Sequence, residues 1–286
     1  MRAIVAVLLF VTAAHAGLWG LLQQKQQAPD FTGMLPSVSY APFEGTEHPD
    51  VDNIPSAERI RSDLKKLSTI TRAIRLYSST GGVELVPPIA AEFGLKVTLG
   101  VWIDKNEDRN NREIAAAVQL ARRNSNVIGV VVGNETQYRG ELKPEELIGY
   151  IKQVKKSVSV PVTTGEIWNI WRDDADEAAR TGRQSLASTV DYIAAHVLPY
   201  WEFFSHKEAV NQAVERYQLL REKFPGKRIV IAELGWPSQG YNRGIADPGP
   251  FQQAWVLRNF VTRAEAIGME YNIVEAIDQP WKFFEG

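Results

Sequence analysis

Cysteine is absent from the chain. That excludes disulfides, thiolate nucleophiles and thiolate metal centres together. Histidine is nearly as scarce: four residues, at positions 15, 48, 196 and 206, stand without ligand spacing, so neither a metal nor a metal cofactor is expected. An excess of charge of one sign is also missing. Thirty-two Lys and Arg balance 34 Asp and Glu to a net −2, and no basic run offers the stripe that would track nucleic-acid phosphates. The first strand-like run leads into "SYAPFEGTEH", which has no Gly-rich phosphate turn and so speaks against a doubly wound nucleotide-binding sheet. Chemistry must then run on carboxylates, without a cofactor.

What is present starts with one long apolar run. "MRAIVAVLLFVTAAHAGLWGLL" carries a single Arg and then runs apolar from Ala3 to Leu22, broken by Thr12 and His15 alone. This reads as an export signal. Ala14-His15-Ala16 has the small-x-small form of a cleavage site, yet the run continues through Trp19 to Leu22 and is just long enough to span a bilayer uncleaved. Residues 1–22 are therefore expected to be a signal peptide or a membrane anchor, residues 23–34, with "QQKQQ", a polar linker, and residues 35–286 the folded domain. That domain would face an extracytoplasmic space.

With 286 residues, 44% of them hydrophobic, the chain can bury one large core. From Leu35 short β-like runs alternate with amphipathic helical stretches. Eight runs are legible: Ser37 to Phe43, Ala73 to Ser79, Lys96 to Ile103, Val127 to Glu135, Pro161 to Trp168, Val190 to Trp201, Arg228 to Trp236 and Tyr271 to Asp278. Seven helices fall between them. Pro55 opens the first and Pro144 the fourth, whose Leu147, Ile151, Val154 and Val158 keep one face apolar. Eight such units predict a (β/α)8 barrel. The chain stops at "WKFFEG", so the barrel is expected to lack its last helix and to be a fragment of a longer protein.

In such a barrel, reactive groups gather at the C-terminal ends of the strands. Those ends read Tyr40, Tyr77, Trp102 with Asp104, Asn134 with Glu135, Glu166 with Trp168, His196 with Tyr200 and Trp201, Glu233 with Trp236, and Glu275 with Gln279, Trp281 and Lys282. Flat rings and carboxylates in one mouth suit a neutral polyhydroxylated ligand, because indole stacks on sugar C–H faces while carboxylates bind hydroxyls. Retaining glycoside hydrolysis needs two carboxylates about 5 Å apart. Glu135 and Glu233, across a narrow mouth, can meet that requirement; Glu166 and Glu275 are the rival members of any pair. A barrel that only binds glucan stays open as the non-enzyme alternative.

The stretches "VVVGNET" and "IVIAELGWPS" resemble the acid/base and nucleophile motifs of family 17 glycoside hydrolases, the second through Glu233-Leu234-Gly235-Trp236-Pro237-Ser238. The resemblance runs from Val38 along nearly the whole chain and includes "IRLY", "HVLPYW" and "AIDQPWK". It implies a barrel acting on β-1,3-glucan with retention, Glu135 as acid/base and Glu233 as nucleophile. It also places Tyr77 and Lys282 beside the nucleophile. Asn134 would bond the sugar 2-hydroxyl, and Tyr40, Glu166, Trp168, His196, Tyr200, Trp201, Trp236, Glu275, Gln279 and Trp281 would line the substrate site. Burial beside Trp rings or a carboxylate would keep Glu135 protonated. Plant members carry Glu where this chain has Gln279. The resemblance is closest to the bacterial branch, which remodels β-glucan by transglycosylation and is often fused to membrane spans and a glycosyltransferase. A periplasmic or inner-membrane-anchored location and a glycosyltransferase partner follow from it. Trp168, Trp171, Trp201 and Trp281 are the expected acceptor platforms, which would favour glucanosyl transfer over simple endo-hydrolysis.

Overall fold

A computed structural model describes residues 2–22, 30–43, 47 and 55–285. His48 and residues 23–29 of the expected linker lie outside them. The apolar N-terminal run forms a helix, α1 (Arg2–Leu22), with Ile4, Leu8, Leu9 and Phe10 all exposed. Among the described residues no helix is long and apolar enough to cross a membrane.

The rest is a closed ring of eight parallel strands in sequence order. The strands are β1 (Val38–Ser39), β2 (Ala73–Arg75), β3 (Lys96–Val101), β4 (Val127–Asn134), β5 (Val162–Ile167), β6 (Ile193–His196), β7 (Ile229–Leu234) and β8 (Glu270–Ile273). Val38 pairs with Ile74 on one side and with Ile273 on the other. The sheet thus closes on itself and leaves no edge among these strands. Around it lie α2 (Ala57–Leu67), α3 (Val86–Glu92), α4 (Glu107–Arg123), α5 (Pro144–Lys155), α6 (Trp168–Thr181), α7 (Leu186–Thr189), α8 (His206–Lys223) and α9 (Pro250–Ala266). The fold is a (β/α)8 barrel.

Local chemistry explains the elements. Ser56 caps α2 by accepting from the Arg59 amide at 3.2 Å, one position after Pro55. Pro144 opens α5 at the position where a missing N–H costs nothing. Leu147, Ile151 and Val154 of α5 are fully buried, each contributing about 2 kcal/mol by leaving water, and Val158 packs partly buried against the same core. Gly182 ends α6 in the left-handed conformation, φ 75°, so the connection from β5 to β6 holds two helices where one was expected.

The strands are shorter than the apolar runs that announce them. β8 ends at Ile273 and β1 has two residues, so Glu275, Gln279 and Tyr40 sit beyond ladder pairing. Pairing also slips at the C-terminal ends of three strands, between Val131 and Asn134, between Ala195 and His196, and between Ile231 and Leu234. Such irregularities re-aim side chains. They occur on the strands that carry Glu135, His196 and Glu233.

Candidate active site

Glu233 lies one residue before the end of β7 and is 7% exposed. Its Oε1 accepts from Arg75 Nη1 at 2.9 Å and lies 3.4 Å from His196 Nε2. Burial alone would push the Glu233 carboxyl up. The electrostatic influence of His196, Arg75 and Lys282, with help from the Tyr77 hydroxyl, outweighs it and holds the group below its usual value. Lys282 is itself held 3.4 Å from Glu275 Oε2. The Tyr77 phenol donates to Ser39 Oγ at 2.9 Å, and burial, then the Glu233 charge, push it well above its ordinary value. Both groups lie where they can keep Glu233 charged.

Two residues after Glu233, Gly235 has a steric reason. A Cβ on Gly235 would stand 2.2 Å from the Val274 carbonyl oxygen, so only glycine lets the turn after β7 pass against the segment leaving β8.

Glu135 follows β4 with φ 53°, a left-handed conformation that costs a non-glycine residue about 1–3 kcal/mol and recurs at functional sites. Three bonds to β5 hold the segment there. The Glu135 amide donates to the Gly165 carbonyl at 2.7 Å. Glu166, fully buried, accepts from the amides of Gln137 at 2.8 Å and Tyr138 at 3.3 Å, pinning the loop just past Glu135. Burial pushes the Glu166 carboxyl up to about 8, against those two donors and Arg139 and with the Glu135 charge adding to the rise. The Glu135 side chain reaches His196, whose Nδ1 is 2.8 Å from Oε1. Asn134 Oδ1 accepts from Arg75 Nη2 at 2.7 Å.

His196 and Arg75 therefore stand between the two carboxylates. His196 is fully buried at the end of β6, and Arg75 is 3% exposed on β2. Space for both comes from Gly165, where a Cβ would lie 2.7 Å from His196 Nε2 and 3.0 Å from Arg75 Nη2. Sequence reasoning had placed His196 as a substrate contact and missed Arg75. The signal was available in "AIRLY": an Arg at an inward strand position between Ile74 and Leu76 must be buried, and buried arginine is retained with partners.

The aromatic residues divide. Tyr40 is 1% exposed and donates to Asp63 on α2 at 3.1 Å. Tyr200 and Trp236, each 3% exposed, meet edge to face with centroids 5.5 Å apart. Tyr200 donates to the Tyr241 carbonyl, and Trp236 Nε1 to that of Asp247 at 2.9 Å; these rings brace the loop after β7. Trp171 is fully buried, with Nε1 donating to the Ala194 carbonyl, so it packs behind the barrel wall and cannot stack on a sugar. Its expected platform role is withdrawn on that ground. Trp201 is 39% exposed with the Arg243 guanidinium 3.9 Å from its ring centroid. Trp168 is partly buried, donates to Glu202 at 2.8 Å and has Arg216 and Arg172 at 4.4 and 5.1 Å from its ring. Trp281 donates to Gln279 Oε1 at 2.7 Å, and Gln279 in turn donates to the Ala41 carbonyl.

Glu135, His196 and Glu233 each offer one ligand atom within 4.8 Å of the others, the spacing a divalent ion could bridge. Arg75 already places a guanidinium on Glu233 and 3.3 Å from His196 Nε2. A second cation there would face that fixed charge, so the donor set does not fit a metal. The same set fits acid/base and nucleophilic work: two carboxylates with nearest oxygens within 4.8 Å, one beside a cation and one beside an imidazole.

Comparison with known proteins bears on the same residues. The family model described as the BtgE/BtgC glycoside hydrolase domain matches residues 37–285. A probable glucan endo-1,3-β-glucosidase of Aspergillus flavus is 27% identical over 290 residues, covering 89% of this chain; the chain spans only 40% of that relative's length. Among solved structures, an active-site mutant of a β-1,3-glucanosyltransferase of Rhizomucor miehei in complex with laminaritriose superposes with a TM-score of 0.75 at 24% identity, covering 87% of this chain and 89% of its own. An endo-laminarinase from Formosa gives a TM-score of 0.76 at 20% identity, covering 88% and 80%. These two likenesses support the barrel fold.

Proposed function

Because the chain belongs to the BtgE/BtgC glycoside hydrolase domain family, we propose that it cleaves β-1,3-linked glucan with retention and passes the glucanosyl unit preferentially to another sugar. The observation that carries this reading is the approach of Glu135 and Glu233 to within 4.8 Å, the short separation of retaining enzymes; inverting pairs stand about 6.5–9.5 Å apart to admit a water. Glu233, held charged, attacks the anomeric carbon. Glu135 gives its proton to the departing oxygen and later takes one from the acceptor. The substrate class is supported by the Aspergillus relative and by the laminaritriose bound to the Rhizomucor transferase. Affinity to the bacterial branch rests on the sequence motifs alone, while these relatives are fungal.

The preference for transfer rests on rings near the mouth. Exposed Trp201, partly buried Trp168 and Trp281, and Glu275 with Lys282 are assigned to the substrate and acceptor contacts. Export through residues 1–22 as a signal belongs to the same proposal, as does action beside a glycosyltransferase of the same pathway or polypeptide.

The test uses laminarioligosaccharides, with products analysed by mass and NMR. Products longer than the substrate are expected; shorter ones alone would leave a hydrolase. Glu233→Gln should abolish turnover by several orders of magnitude. Glu135→Ala should still be trapped as a glycosyl-enzyme by an activated fluoro-glycoside and be partly rescued by azide. Near-normal turnover of the first variant, or no rescue of a folded second one, overturns the assignment.

A further inference from the structure

We propose that the loops after β6 and β7 form a further glucan-binding surface, an aromatic ridge of Phe203 and Tyr241 that leads on from Trp201 and seats the length of a β-1,3-glucan polymer beyond the mouth. The inference rests on the substrate class proposed above. Both loops leave the C-terminal ends of their strands, beside His196 and Glu233, so the ridge and the two carboxylates share one end of the barrel.

The two loops run side by side. Tyr200 donates to the Tyr241 carbonyl, the Arg243 guanidinium covers a face of the Trp201 ring at 3.9 Å, and a Cβ on Gly244 would lie 3.6 Å from the Phe203 ring. Residues 200–203 are thus matched in order by 241–244. Reciprocal backbone bonds of 2.9 Å between Arg243 and Ala246 close the turn. Its far end is tied down at Asp247, whose carbonyl accepts from Trp236 Nε1 at 2.9 Å and whose Oδ1 lies 2.8 Å from His206 Nδ1. The rings therefore stand on a braced loop. Groups held in place in this way have little freedom left to lose when a ligand covers them.

Phe203 carries the argument. Its φ is 65°, a left-handed conformation that is an outlier for a bulky residue, and the residue is 56% exposed, so little burial offsets the strain. Strain of this kind gathers at ligand clamps. Tyr241 is 77% exposed, and Ile245, also exposed, ends the row. A contiguous exposed apolar patch marks an interaction surface. Its occupant follows from continuity: the row starts at Trp201, near the mouth, and flat rings suit the C–H faces of successive sugars in a neutral chain. A trisaccharide is spent on the sugars that flank the cleaved bond. A polymer runs on past them and reaches the ridge.

The test compares the native protein with the double variant Phe203→Asn, Tyr241→Ala on laminaritriose and on laminarin. Asn takes the left-handed conformation more readily than Phe, and Tyr241 meets Tyr200 through a backbone carbonyl that the substitution keeps. The ratio of kcat/KM on laminarin to that on laminaritriose is expected to fall about tenfold, as for loss of one or two stacking contacts. Both values scale alike with the folded fraction, so the ratio does not report stability. In a non-denaturing gel containing laminarin the native protein is expected to be retarded and the variant much less so. An unmoved ratio with equal retardation overturns the proposal. With those glucan measurements unmoved, a native dimer that the variant dissociates makes the ridge a contact between copies, and binding to phosphatidylcholine vesicles that the variant loses makes it a lipid contact; either result overturns the proposal as well. If the double variant does not fold, Tyr241→Ala alone is judged by the same two readings. A native protein that turns over neither glucan sinks the proposed reaction instead. The gel then still judges the ridge, and a native protein that laminarin does not retard overturns it.

Discussion

At the scale of single residues the site is an arrangement of charge. Glu233 is buried and would be costly to ionise, so it is held by its neighbours: Arg75 bonded directly, the His196 ring beside it and Lys282 at greater range. Lys282→Met removes one of the positive charges that hold the Glu233 carboxyl down. Its folded-state pKa should rise, and because Glu233, as the proposed nucleophile, must be ionised to attack, the acid limb of kcat/KM for the free enzyme should move to higher pH. Turnover at the optimum should change far less. A pH profile on an activated aryl laminaribioside reads this without involving the acid, and an unmoved acid limb removes Lys282 from the account. The two glutamates were legible in the sequence because strand-end carboxylates in Gly-Asn-Glu and Glu-Leu-Gly-Trp-Pro-Ser are local patterns. Arg75 and the bridging role of His196 were not, since each depends on partners from other strands.

At the scale of elements the loop after β4 is held from β5. Glu166 lies under it and accepts from two of its amides, so this carboxyl positions Glu135 from beneath and does not touch solvent or sugar. Its carboxyl, near 4.5 when unfolded, titrates at about 8 when folded. A folded value raised above the unfolded one means that the stability it contributes is full below pH 4.5 and is lost as pH rises toward 8, because over that window the unfolded chain has released a proton that the folded chain keeps. Urea midpoints should fall across that window with a slope of about one proton. Glu166→Gln should flatten the slope. A variant that keeps the parent slope assigns the titration elsewhere.

At the scale of the whole molecule, eight strand ends deliver one mouth, and burial sorts its rings into braces and platforms. Trp201→Ala should remove a stacking contribution of about 1–2 kcal/mol and shift products from elongated toward shortened by about ten-fold, with glycosyl-enzyme formation less affected. Trp171→Ala should instead cost about 3–5 kcal/mol of stability, as loss of a buried aromatic does, and leave the product ratio of the folded fraction unchanged. The ratio of longer to shorter products, set beside thermal midpoints, separates the two; a Trp201 variant with the parent ratio makes that ring structural. By itself the sequence determined the alternation of strands and helices, the closed-barrel class and the two catalytic candidates, because hydrophobic periodicity and short motifs are local properties of the chain. The tertiary structure decided which strand-end residues face one another. It set Trp171, Trp236, Tyr200 and Tyr40 into packing, put Glu166 beneath the Glu135 loop, and brought Arg75 and His196 between Glu135 and Glu233. Those contacts join residues up to 158 positions apart. Only closure of the ring, with β8 paired to β1 and the ladders slipping at the ends of β4, β6 and β7, fixes where such side chains point.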